Sequence, residues 1–85
     1  MITGQPTADS TSALLMTPLG KGEVYFRNQG ANTVFLGPAG VTIANGFPLA
    51  INESMRVELD RGEVVHAVCD TAETATVAYS FTDID

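Results

Sequence analysis

Apolar and polar positions alternate along much of this chain, most clearly from Ser54 to Asp60. There Met55, Val57 and Leu59 fall on one side and Ser54, Arg56, Glu58 and Asp60 on the other. Successive strand residues point to opposite faces, so this stretch reads as a strand with one face on a core and one in water. Thr74 to Phe81 repeats the pattern, with Ala75, Val77, Tyr79 and Phe81 inward. Over 23–28 a strand is expected to bury Val24, Phe26 and Asn28 and to expose Tyr25 and Arg27. From 63 to 69, Val64, His66 and Val68 oppose Val65, Ala67 and Cys69, so both faces are mostly apolar and the strand belongs inside a sheet.

Two shorter runs complete the set. Ser12 to Thr17 is too short for a stable helix and is closed by Pro18, which cannot donate to a strand ladder. Thr33 to Leu36 is linked to the 23–28 strand by Gln29-Gly30-Ala31-Asn32, whose Gly and Asn tolerate the backbone of a tight turn. Val41 to Asn45 has room for one helical turn begun by Thr42, and Phe47-Pro48-Leu49 is placed to plug one end of a core. Residues 1–11, rich in Thr, Ser, Gly, Pro and Asp, are expected to be a flexible arm. The fold expected for 12–85 is a single all-β domain, a small antiparallel sandwich or barrel of six to seven strands.

Size and charge narrow the function. A chain of 85 residues holds one domain with a marginal core, and Leu15, Phe35 and Ile51 are candidates for burial against other copies, so a homo-oligomer, foremost a trimer, is expected. With four basic residues and a formal charge of −6, the chain lacks the clustered Lys and Arg that a phosphate backbone requires, so nucleic acid is not an expected partner. No apolar run approaches the ~20 residues of a membrane span. The first residues resemble no secretory signal and Cys69 has no second cysteine to pair with, so synthesis in a reducing cytoplasm is expected. The negative charge falls in 53–85, which suggests that the acidic turns near Asp60, Asp70 and Asp83 face solvent together while the neutral half meets a partner.

The order Arg27-Asn28, Asn32-Thr33-Val34-Phe35-Leu36-Gly37, Val41-Thr42 and Gly46-Phe47-Pro48-Leu49, followed by a polar strand and His66-Ala67-Val68, resembles a small β domain of tailed-phage virion proteins. Capsid decoration proteins and head-fibre domains carry it, and here it spans residues 23–81. The resemblance implies a structural protein made in the host cytoplasm and bound, as an oligomer, to the major capsid protein on the capsid exterior. The residues expected to touch capsid or other copies are Ile2, Thr3, Pro6 and Thr7 of the arm, with Leu15, Phe35, Phe47 and Leu49. A fibre or adhesin module contacting host-surface carbohydrate is the alternative.

Chemical candidates are weak beside this. His66 and Cys69, three apart, point to opposite faces of a strand and cannot share a metal. No G-x-S-x-G surrounds a serine, and Gly37-Pro38-Ala39-Gly40 lacks the Gly-Lys-Ser/Thr ending of a phosphate loop. The acidic turns match no calcium-loop spacing, and Asn52-Glu53-Ser54 has the form of a glycosylation sequon only. Neither an enzyme nor a cofactor is expected.

Overall fold

A computed structural model describes residues 1–18 and 20–83. Nine strands form among them: β1 (Ile2–Gly4), β2 (Thr7–Ala8), β3 (Ala13–Met16), β4 (Gly22–Asn28), β5 (Val34–Gly37), β6 (Phe47–Leu49), β7 (Ser54–Leu59), β8 (Val65–Val68) and β9 (Ala75–Asp83). All pairings are antiparallel. One sheet runs β1-β9-β4-β7, with β2 also on β9, and the other runs β3-β8-β5-β6. The chain is therefore all-β, a small two-sheet sandwich.

Alternation explains the core. Val24 and Phe26 of β4 with Val77 and Phe81 of β9 meet Leu15, Val34, Leu36, Leu49 and Ala67 from the second sheet. Met55 and Val57 of β7 pack against this cluster from its margin. β8 lies between β3 and β5, as its two apolar faces require.

The first eleven residues correct one expectation. Instead of a free arm they carry β1 and β2, which add to β9 with Ile2 opposite Phe81 and Ala8 opposite Ala75. Backbone rather than side chains holds them: Val77 N donates to Pro6 O at 2.9 Å and Cys69 N to Asp9 O at 2.6 Å. Ala8 is the one fully buried side chain they contribute, so hydropathy gives little sign of the pairing. β1, β2 and β6 account for the strands beyond the six or seven expected. The segment after Gly40 makes one turn, with Gly46 N donating to Thr42 O at 2.8 Å.

A buried asparagine joins the two sheets. Asn28 ends β4 with no exposed surface, and its Nδ2 donates to Asn32 O at 2.7 Å and to Leu49 O at 2.9 Å while Oδ1 accepts from Gly30 N at 2.9 Å. Its backbone continues the link, since N donates to Glu53 O and Asn52 N donates to its carbonyl. Asn32 Nδ2 reaches Thr74 O at 2.9 Å. One side chain thus sets the exit of β4, the turn to β5 and the end of β6, which is why a polar residue occupies an inward position there.

The accessible area is 4814 Å². A compact monomer of this mass exposes about 4,800 Å². Small size alone therefore does not demand an oligomer; Leu15, expected at a contact, is 5% exposed.

Candidate interaction surface

At one side of the sandwich the edge strands β6 and β7 fail to meet, and the core opens there. An apolar cleft of about 260 Å³ is lined by Phe26, Leu36, Pro38, Phe47, Met55, Val57, Val64 and Val65. Phe47 stands opposite Leu36 and shares the inward side of β6 with Leu49, yet it is 60% exposed because no strand covers it. Val64, just before β8, is also exposed. Pro48 between Phe47 and Leu49 suits an edge strand, where a missing N–H costs nothing.

The residues expected at contacts separate into four groups. Ile2, Thr3 and Thr7 lie exposed on the β1/β2 edge, with Pro6 half-buried between the two strands. Phe47 lies at the opposite edge, beyond β9 and β4. Leu15 and Leu49 are core residues and present no surface to a partner, which corrects their assignment. Phe35 is half-buried beneath the segment that follows β5, where a Cβ placed on Gly46 would lie 2.6 Å from Phe35 Cβ. Sequence reasoning missed the cleft-lining Val64, Met55 and Val57. Alternation marks the last two as inward, but nothing in the sequence says that the inward side is uncovered at this edge.

The acidic turns also part company. Leu59 and Asp83 both face Gly22, so Asp60 and Asp83 share one end of the sandwich. The turn from Asp70 to Glu73 lies at the other end, next to Thr74 and Asn32. A single acidic outer face is therefore not what this fold builds.

No group of three His, Cys, Asp or Glu able to hold a metal occurs among the described residues, and no helix among them is long and apolar enough to cross a membrane. His66 lies opposite both Leu14 and Gly37, with its Nδ1 buried and unpartnered among the described residues, while Cys69 faces the core. The Cys69 thiol donates to Ala8 O at 3.7 Å, and its pKa is raised from 9.0, first by burial and then by the Glu73 and Asp9 carboxylates. A thiol so placed is a poor nucleophile.

A pH effect follows from Cys69. A raised native pKa means that its contribution to stability is complete below the unfolded thiol's value and is lost as pH climbs towards the native one. Denaturant midpoints are expected to fall at alkaline pH in the parent and to fall less in Cys69→Ala; identical slopes in the two would show the thiol to be uncoupled from folding.

Comparison with models of known protein families and with curated proteins gives no match for this chain.

Proposed function

We propose that this chain is a structural virion protein that binds the outer surface of an assembled phage capsid as a homo-oligomer and reinforces or decorates it. The observation that carries the reading is the role of Asn28. Asn28, Asn32 and Leu49, three of the residues on which the virion resemblance rests, are joined by hydrogen bonds into the link between the sheets. Residues that could recur by chance in a loop here specify the architecture, which makes their order a fold signature and supports the likeness. The Phe47 cleft supplies what a lattice binder needs, a fixed apolar patch on a small rigid body.

The purified protein is expected to co-sediment with empty tailed-phage capsids to a saturating stoichiometry, and Phe47→Ser to weaken that binding about tenfold or more, as loss of a buried aromatic anchor does. Absence of co-sedimentation across capsids of several types would overturn the proposal. The carbohydrate alternative draws on Tyr25, 51% exposed on the outer face of β4 beside Arg27, above a shallow hollow floored by Ser54, Ala78 and Ser80. Binding to saccharides that Tyr25→Ala abolishes, without binding to capsids, would put that reading in its place.

A further inference from the structure

β7 is the outer strand of its sheet, and half of its backbone groups have no strand to pair with. Asn28 N donates to Glu53 O. Followed along the register of β4 with β7, this alternation turns the N–H and C=O groups of Met55, Val57 and Leu59 towards β4 and those of Ser54, Arg56 and Glu58 outward. The edge contains neither a proline nor a break in register. Sheet edges of this length are usually blunted, and here the blunting is charge: Arg56 and Glu58 flank Val57 on the exposed side.

That charge pattern is self-complementary. When two copies of one strand pair antiparallel about a two-fold axis, outward-pointing backbone must meet outward-pointing backbone, so the axis passes through a residue and not between two. An axis at Arg56 sets the two arginines against each other, and an axis at Glu58 does the same to the glutamates. An axis at Val57 places Arg56 opposite Glu58 of the second copy, twice over, with Met55 opposite Leu59 and Val57 opposite itself. Opposite charges directly across a strand pair attract and like charges repel, so one register is selected.

Within a single chain these charges are poorly matched. Glu58 stands across from Glu23 of β4 and has no ion pair or hydrogen bond of its own among the described residues. Arg56 is mostly exposed and reaches Glu23 only at 3.6 Å. We propose that β7 is the interface of a two-fold dimer in which the β7 strands of two copies pair about Val57, joining their sheets into one. Arg56 of the second copy supplies the cation that Glu58 lacks. Val57 meets its equivalent on the core side, so the apolar clefts beside the two β7 strands become continuous. This makes the assembly a dimer rather than the trimer expected from size, and it stands whether or not the chain binds capsids.

The test uses the isolated full chain in sedimentation equilibrium, with Arg56→Glu, Glu58→Arg and the double exchange R56E/E58R. The parent and the double exchange are expected to dimerise, and each single variant to dissociate at least about tenfold more readily, since each sets like charges across the axis at two positions. Mixing the two single variants is expected to restore a dimer, because the two acidic side chains flanking Val57 in one variant then face the two basic side chains flanking it in the other. That mixture also controls for misfolding, since an unfolded variant cannot be rescued by its partner. A parent that stays monomeric to millimolar concentration, or single variants that dimerise as well as the parent, would overturn the proposal.

Discussion

Replacing Asn28 with alanine is expected to cost about 3 kcal/mol, roughly 1 kcal/mol for each side-chain hydrogen bond lost, and to lower the melting temperature by roughly 12–24 °C. The side chain makes three such bonds, and no part of it is exposed to water that could replace them. Asn28→Asp separates shape from chemistry. It keeps the acceptor for Gly30 N but turns an oxygen towards the carbonyls of Asn32 and Leu49, so it is expected to be at least as damaging at neutral pH. A carboxyl so placed titrates above its usual range, and its protonated form regains a donor. Stability of this variant should therefore rise as pH falls through that raised value. Equilibrium denaturation measures both effects, and a loss under about 1 kcal/mol in the alanine variant would show that Asn28 is not the link described.

Gly30→Ala carries the second large effect. A Cβ at Gly30 would lie 2.6 Å from Ala75 Cα, 2.7 Å from Ala75 Cβ and 2.7 Å from Thr76 N. These atoms belong to β9, which is held by β2 on one side and β4 on the other, and Gln29 N donates to Thr76 O at 2.8 Å beside the clash. Neither strand can give way cheaply. The expected cost is about 2–3 kcal/mol, the upper part of the range for inserting a methyl group into packed structure. Gly20→Ala is the control, since its added Cβ would meet nothing closer than Asp83 Oδ2 at 3.6 Å, an ordinary contact, and should be near neutral. Similar losses in the two variants would show that the β9 contact is not the cause, since the lower chain entropy of alanine by itself favours the folded state.

The sheets were legible wherever a strand has one wet face. Val24, Phe26 and Asn28 are buried, and Met55, Val57 and Leu59 are more covered than the residues between them, as alternation requires. β1 and β2 were not legible, because the backbone bonds that hold them leave no hydropathy trace. Leu15 and Leu49 looked available for contacts because a single sequence does not say how much core one chain can fill; both are buried. Phe47 was legible as an apolar anchor beside Gly46 and Pro48, but its exposure depends on the gap between β6 and β7, which no local pattern encodes. Arg56 and Glu58 were visible as part of one polar face. Its meaning required knowing that β7 is an edge.

The pairing of β1 with β9 has a consequence for synthesis. Ile2 lies opposite Phe81 and Thr3 opposite Ser80, so nearly the whole described chain separates the two partners. The β1 pairing cannot form on the ribosome until residue 81 has cleared the exit tunnel. Until then the place of β9 between β1 and β4 is empty, and β4 is an open edge. Such non-local strand pairing is slow, because the loop must close before any contact rewards it. A protein built this way completes its first sheet only once residue 81 is available, and β4 is the strand that neighbouring nascent chains would meet first.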